Sequence, residues 1–286
     1  MRALVLSGGG SRGAFQIGAL QYLEREAKDY YQVFCGVSVG ALNCAGLAQY
    51  DNFSEGVDYV SDLWHRLTDK DVKKHWFPFG YLHGLWKTGL YNTSPLRKMI
   101  YEVFDAQKVI DANNILRVGA VNLQTNQYNV FTEQDCLAYQ AAPILASSSF
   151  PVMFEAVKLQ GHLWTDGGAR TITPLKAAID IPEVTEIDVI LASKIPGPSN
   201  HKRPKNVIDV ASRALEAALD EIFINDLKIA QLYNELAKAD LTNKRYVKIR
   251  TIQPEGPLPG DSLTFHPEHI ERMIDLGYFA ASKQVK

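Results

Sequence analysis

The sequence has few cysteines, no long apolar run and no excess of charge of either sign. Thirty basic and 32 acidic side chains in 286 residues leave a formal net charge of −2, so we expect no nucleic acid partner. No run of 18 or more apolar residues is present, which predicts no transmembrane segment. The apolar stretch 3–6 is too short for the core of a signal peptide.

The three cysteines, Cys35, Cys44 and Cys136, are odd in number and show no spacing typical of metal ligands. We expect them to be buried free thiols in a reducing compartment. Together with the absence of a leader and of a membrane span, this predicts a cytoplasmic protein. Nothing in the sequence indicates its oligomeric state.

The composition, 46% apolar and 22% charged, is typical of a globular protein. The pattern strand, glycine turn, helix occurs twice within the first fifty residues, with apolar strands at 3–6 and 33–35. This alternation predicts an α/β fold with a parallel sheet covered by helices.

Further elements follow from apolar periodicity. Strands are predicted at 117–123, 127–131, 163–165, 186–191 and 245–251, and helices at 53–69, 94–104, 134–147 and 206–239. The last helix is expected to have an apolar face formed by Leu215, Leu219, Phe223, Leu227 and Ala230. The Pro- and Gly-rich run 196–200, followed by the basic run 202–205, predicts an exposed loop and not a domain boundary. We therefore expect a single domain over 1–286, with a motif-bearing core at about 3–192 and a C-terminal helix and strand extension at about 206–286.

A glycine loop follows the first strand, with the sequence Gly8-Gly9-Gly10-Ser11-Arg12-Gly13. A dinucleotide site would need such a loop and an acid at the end of the second strand. No acid is present there, and Asp29 precedes that strand. The alternative, which we favour, is that successive glycine amides and the positive end of the next helix bind an oxyanion formed during acyl transfer.

A G-x-S-x-G motif follows the second strand, as Gly36-Val37-Ser38-Val39-Gly40. Glycines on both sides allow a sharp turn with Ser38 in a strained conformation at its tip. The helix N-terminus behind the serine favours its anionic form. Ser38 is therefore the candidate nucleophile, and the alternative is a structural turn with an incidental serine.

The base that would activate Ser38 is less obvious. Seven histidines are present, and His266 or His269 could complete a Ser–Asp–His triad. The α/β-hydrolase fold, however, places several strands before its nucleophile, whereas here only one strand precedes the motif strand. Asp166, followed by Gly167 and Gly168, is the stronger candidate because two glycines allow a carboxylate to approach a hydroxyl closely. An aspartate that only forms a turn is the other interpretation.

These motifs in this order, with the stretch 146–151 ahead of Asp166, resemble the patatin-like phospholipases over about residues 3–192. One departure is Val152, at a position where the family often has glycine. The resemblance implies a three-layer α/β/α sandwich with a mainly parallel central sheet. It also implies a lipid acyl hydrolase, a serine esterase that cleaves fatty-acyl esters of phospholipids or lysophospholipids through an acyl-enzyme, without a metal or organic cofactor. A catalytically quiet lipid- or partner-binding module on the same scaffold is the alternative.

The resemblance also assigns roles to residues. It implies a dyad of Ser38 as nucleophile and Asp166 as direct general base. We place the oxyanion donors at the amides of Gly9 and Gly10, with Gly8 shaping the loop. Arg12 either orients the loop, contacts an anionic substrate group or is only structural. The remaining positions are expected to support the motifs: Ser11, Gly13, Gly36, Gly40, Gly167 and Gly168.

The segment 76–91 is rich in aromatic residues, and lysines surround it. Its six aromatics are Trp76, Phe77, Phe79, Tyr81, Trp86 and Tyr91. Amphipathic rings beside lysines are typical of segments that contact a lipid interface. The segment is therefore predicted to be a cap that touches the membrane surface or lines an acyl pocket, and the alternative is an irregular segment packed over the core.

Overall fold

The computed structural model describes residues 1–78, 80, 84, 86–193, 203–205, 207–239 and 245–285. Its centre is a mixed sheet of eight strands. Five parallel strands pair in the order β3–β2–β1–β7–β8. Strands β4 and β6 each pair antiparallel with β3, and β5 pairs antiparallel with β6. The strands are β1 (Arg2–Leu6), β2 (Val33–Val37), β3 (Ile115–Asn122), β4 (Tyr128–Thr132), β5 (Val157–Leu159), β6 (His162–Asp166), β7 (Glu186–Ile190) and β8 (Lys248–Ile252).

Helices cover both faces of this sheet. They are α1 (Gly13–Arg25), α2 (Val39–Leu47), α3 (Phe53–Arg66), α4 (Asp69–Val72), α5 (Ser94–Val103), α6 (Ala106–Asp111), α7 (Glu133–Tyr139), α8 (Ala142–Ser147), α9 (Leu175–Ile179), α10 (Val207–Lys238) and α11 (Pro267–Gln284). None of these described helices is long and apolar enough to cross a membrane.

The short apolar strand β1 contributes side chains to the hydrophobic cores on both faces of the sheet. Successive side chains of a strand point to opposite faces. Leu4 and Leu6 pack into the larger core with α1, α2 and α3, whereas Ala3 and Val5 pack into a second core with α9. The predicted α/β/α fold is therefore confirmed. Cys35, Cys44 and Cys136 are buried free thiols, as expected.

The C-terminal residues belong to the same sheet and core. Strand β8 extends the sheet beyond β7. Helix α11, which the periodicity did not predict, packs along α1 so closely that the two backbones touch at Gly18 and Gly277. Pro267 lies in the first turn of this helix, where its missing N–H costs nothing.

Two predicted helices are shorter than the periodicity suggested. The stretch 134–147 forms two helices, because Gln140 takes a positive φ of 56° and the next helix begins at Ala142, with Pro143 in its first turn. The stretch 53–69 ends as a helix at Arg66, and Thr68 then caps α4 together with Asp71.

Some other predicted features change only at their ends, and some cannot be compared. Strand β2 runs to Val37, and β8 begins at Lys248. The backbone of α10 is helical as predicted, but the five side chains of its predicted apolar face lie outside the described residues. The predicted loop 196–200 also lies outside them, whereas residues 203–205 are exposed.

Strands β2 and β6 share one edge of β3. Strand β2 leaves β3 at the pair Val37–Gly119, and β6 pairs with the next residue through Asp166 and Ala120. Strand β4 pairs with both regions of β3 and so occupies the opposite edge. Because β2 is parallel and β6 is antiparallel to β3, their C-terminal ends face each other. This brings the residue after Val37 next to Asp166.

Candidate active site

Ser38 lies at the tip of a sharp turn between β2 and α2. Its backbone has φ 57° and ψ −130°, a region that residues with a side chain rarely adopt. A Cβ on Gly36 would lie 2.3 Å from the carbonyl oxygen of Gly40, and a Cβ on Gly40 would lie 2.2 Å from that of Leu6. The turn therefore requires glycine at both positions, and the side chain of Ser38 is left partly exposed.

The end of α8 and the residues that follow it bind the backbone of both Ser38 and Asp166. The hydroxyl of Ser147, which is fully buried, accepts a hydrogen bond of 3.0 Å from the amide of Ser38. Two residues further on, the carbonyl of Ser149 accepts one of 3.0 Å from the amide of Asp166. Both serines lie in the stretch 146–151, for which the sequence motifs predict no such role.

The glycine loop lies against Ser38. The amide of Gly8 donates to the carbonyl of Ile172 at 3.0 Å, and a Cβ on Gly8 would lie 3.1 Å from Cβ of Ser38. No protein acceptor is recorded for the amides of Gly9 and Gly10 within the part of the chain that the structure describes. The two amides are therefore unpaired within the described chain, in a loop whose first glycine, Gly8, lies against Ser38.

The C-terminal part of the chain holds the other side of this loop. Ser11 donates its amide to the carbonyl of Ser262 and its hydroxyl to the carbonyl of Asp261, each at 2.8 Å. Gly10 has φ 59°, and a Cβ there would lie 1.9 Å from the carbonyl oxygen of Ser262. Only glycine fits this position.

Two further loop residues contact neighbouring elements. Arg12 donates to the hydroxyl of Ser193, just beyond β7, at 3.2 Å. Gly13, the first residue of α1, lies against the side chain of Val39 at the start of α2. The loop is therefore in contact with the first turn of the helix behind Ser38.

Asp166 uses its two carboxylate oxygens differently. Oδ1 accepts a hydrogen bond of 2.7 Å from the amide of Gly168, which forms a tight turn. Oδ2 is buried and has no partner among the described residues that meets hydrogen-bond geometry. The hydroxyl of Ser38 interacts with this carboxyl group and lowers its pKa. Asp166 therefore forms a turn, as one interpretation predicted, and its role as a general base stays a prediction.

Burial changes the acidity of Asp166. Loss of hydration raises the pKa of its carboxyl group from 3.8 to about 7, against the lowering effects of the Ser38 hydroxyl and the Gly168 amide. A carboxylate with this pKa is a stronger base than an ordinary aspartate and is still available at neutral pH.

Gly167 and two candidate histidines are the predicted residues that remain to be located. Gly167 packs against the carbonyl of Gly119 in β3, a close approach that the sequence does not predict. Among the described residues, no histidine is recorded in contact with Ser38 or Asp166, and His266 and His269 lie side by side at the start of α11. Within the described part of the chain, His266 and His269 therefore make no hydrogen bond to Ser38 or Asp166.

Comparison with known proteins decides the family. The family profile described as patatin-like phospholipase matches residues 4–179. The chain belongs to the patatin-like phospholipase family. Membership in this family supports lipid hydrolase activity.

Two relatives carry the name cGAMP-activated phospholipase. One, from Vibrio cholerae serotype O1, is 27% identical over 221 residues, which are 66% of this chain and 62% of the relative. The other, from Escherichia coli, is 31% identical over 143 residues, 44% of this chain and 38% of the relative. The matched regions thus span less than two thirds of either relative. Among solved structures, VipD from Legionella pneumophila gives a TM-score of 0.48 at 15% identity, covering 99% of this chain and 66% of that one.

The raised pKa of Asp166 predicts a stability that falls as pH rises. An unfolded aspartate has a pKa of about 3.9, whereas that of folded Asp166 is about 7. Between these values the folded state binds more protons, so the free energy of unfolding decreases with pH and stays lower above pH 7. Three pKa units correspond to on the order of 4 kcal/mol. Asp166→Asn should therefore stabilise the protein more at pH 8 than at pH 5, as measured by urea denaturation.

Asp58→Asn is the matched control, because Asp58 lies on α3 with a side chain that is 69% exposed. We expect its effect on stability to be small and equal at the two pH values. A stabilisation by Asp166→Asn that does not change with pH would contradict the raised pKa.

Proposed function

We propose that this patatin-like protein hydrolyses fatty-acyl esters of phospholipids or lysophospholipids, with Ser38 as nucleophile and Asp166 as general base. The observation that carries the proposal is the meeting of the ends of β2 and β6 on one edge of β3, with the Ser38 hydroxyl beside a buried carboxyl group. In this proposal, the unpaired amides of Gly9 and Gly10, which follow Gly8 in the loop against Ser38, stabilise the oxyanion that ester cleavage forms.

In the first step, Asp166 takes the proton of the Ser38 hydroxyl as Oγ attacks the carbonyl carbon of the ester. The carbonyl oxygen becomes an oxyanion, which the amides of Gly9 and Gly10 stabilise by hydrogen bonds. Loss of one such donor typically lowers turnover by about 10²–10³-fold. Gly8 keeps the loop against Ser38 and does not donate to substrate, because its amide is bonded to Ile172.

In the second step, the bond between the carbonyl carbon and the alcohol oxygen breaks, and Asp166 returns the proton to that oxygen. The acyl group then remains on Ser38. A water molecule attacks this acyl-enzyme while Asp166 takes one of its protons, and the fatty acid leaves as Ser38 regains a proton. Atoms and charges balance without a metal or organic cofactor.

Substitution of the dyad tests the reaction. Ser38→Ala and Asp166→Asn should each abolish the release of fatty acid from lysophospholipid and from p-nitrophenyl esters, because each removes a group that handles the transferred proton. Both variants should remain folded. Ser282→Ala, which removes an exposed serine hydroxyl, should keep full activity.

A fluorophosphonate probe provides a readout that needs no substrate. It should label wild type at Ser38 and should not label Ser38→Ala. Wild-type labelling at another serine would contradict the assignment, and a folded wild type that neither hydrolyses esters nor reacts would favour the catalytically quiet binding module.

The rate should depend on pH through the same carboxyl group. Asp166 must be ionised to act as a base, and its pKa is about 7. We therefore expect kcat/KM for a neutral ester to fall tenfold for each pH unit below that value and to reach a plateau above it. Product formation is best followed at the isosbestic wavelength of p-nitrophenol, so that its own titration does not interfere. A flat profile between pH 5 and pH 8 would exclude Asp166 as the general base.

We further propose that the segment 76–91 contacts the lipid surface. Phe77 and Trp86 are 90% and 80% exposed, which is unusual for side chains of this size. Trp76, in contrast, is held back by a hydrogen bond from its indole to the carbonyl of Gly89 and by Lys87 over its ring. Phe79 and Tyr81 lie outside the described residues.

Val152 adds a third exposed apolar side chain next to this segment. Its carbonyl accepts a hydrogen bond from the amide of Leu90. Val152 is 58% exposed and has φ 69°, a conformation that costs a β-branched residue about 1–2 kcal/mol. An apolar side chain kept in water despite this strain fits a surface that meets lipid.

Alanine at Phe77 and Trp86 should weaken binding to vesicles of phosphatidylcholine and phosphatidylglycerol by tenfold or more, because each ring contributes about 1.5–3 kcal/mol when it leaves water. Hydrolysis of a short soluble ester should be unchanged. Phe279→Ala removes an exposed ring from α11 and should leave vesicle binding intact. Equal losses on vesicles and on the soluble ester would argue that the segment shapes the site itself.

A further inference from the structure

Ile172 contacts both the glycine loop and the turn after Asp166. It follows Asp166 by six positions, and its carbonyl accepts the amide of Gly8. Its side chain also lies 3.1 Å from the place where a Cβ of Gly8 would be, and 3.6 Å from that of Gly168. A displacement of Ile172 would therefore move the glycine loop relative to both Ser38 and Asp166.

A side chain of α10 binds the backbone of Ile172. Oδ2 of Asp226 accepts the amide of Ile172 at 2.9 Å and the amide of Thr173 at 3.0 Å. Two adjacent N–H groups bonded to one carboxylate oxygen fix the orientation of this short segment between Asp166 and α9. Asp226 lies outside residues 4–179, which match the family profile, and no sequence motif marks it.

Charge strengthens this contact. Asp226 is partly buried, and loss of hydration raises its pKa to about 6, whereas the amides of Thr173 and Ile172 lower it. The carboxylate is therefore charged at neutral pH, and hydrogen bonds to a charged acceptor are shorter and stronger than neutral ones. The side chain of Thr173 is buried and its hydroxyl has no partner among the described groups, so the hold on this segment comes through the two amides.

We propose that Asp226 is a positioning residue for ester hydrolysis: it fixes Ile172, and through Ile172 the glycine loop, so that the amides of Gly9 and Gly10 face the oxyanion. The inference rests on the proposed function of Ser38 and Asp166. Asp226 itself touches neither the substrate nor the reacting atoms. It acts on the rate of the chemical step, because small displacements of groups that stabilise a transition state cost large factors in rate.

Three variants test this role with p-nitrophenyl butyrate as substrate. Asp226→Ala removes the acceptor and should lower kcat by about tenfold or more with KM within twofold of wild type. Asp226→Asn keeps an oxygen that can accept the same two amides and should restore most of kcat. Glu235→Ala removes an exposed acid from the same helix and should behave as wild type.

Hydrogen exchange of the Gly8 amide gives a readout that does not depend on activity. Loss of the Asp226 contact should speed exchange in the peptide that contains Gly8, in Asp226→Ala but not in Glu235→Ala. If Asp226→Ala does not fold, Asp226→Glu replaces it: the same charge on a longer side chain displaces the acceptor and should lower kcat at unchanged KM.

The outcomes separate this inference from the proposed function. A wild-type protein that hydrolyses the ester, with Ser38→Ala inactive and Asp226→Ala at wild-type kcat, would overturn the role of Asp226 alone. That role would also be overturned if kcat falls but Gly8 exchange is unchanged and Asp226→Asn gives no rescue. A wild type without esterase activity would instead contradict the dyad, while the exchange measurement would still test the contact between Asp226 and the loop.

Discussion

The site depends on a single constraint of sheet topology: two strands occupy the same edge of β3, one after the other. Strand β2 ends at the pair Val37–Gly119, and β6 ends in the opposite direction at the pair Asp166–Ala120. Both strands must leave the sheet at this point, because neither can continue along an edge of β3 that the other already occupies. Ser38 and Asp166 are thus brought together by backbone pairing, before any side chain contributes.

Asp166 combines two properties that are usually separate. One oxygen satisfies the turn by accepting the Gly168 amide, and the other remains buried beside Ser38. A fully paired carboxylate would have a low pKa and would be a poor base, whereas an unpaired one would be held less firmly. The fold leaves this buried oxygen without a partner of good hydrogen-bond geometry, and burial raises the pKa of the carboxyl group to about 7.

Prediction from the sequence succeeds where the signal is local. The glycines around Ser38, the glycine loop and the two glycines after Asp166 form short motifs whose spacing is visible in the chain. The close approaches of Gly10 to Ser262 and of Gly167 to Gly119 are not visible there. Prediction fails where the partner is distant: Asp226 accepts the amide of Thr173, 53 positions away, and the carbonyl of Ser262 accepts the amide of Ser11, 251 positions away. The helix boundary at Gln140 was missed for a different reason, because a positive φ at a glutamine has no composition signature.

The contact between Gly10 and Ser262 has a consequence for synthesis of the chain. The backbone that closes over the glycine loop is made more than two hundred residues after the loop itself. While the chain is still on the ribosome, the loop therefore lacks one of its walls. A polypeptide that ends before residue 262 carries Ser38 and Asp166 but lacks the backbone that bounds Gly10.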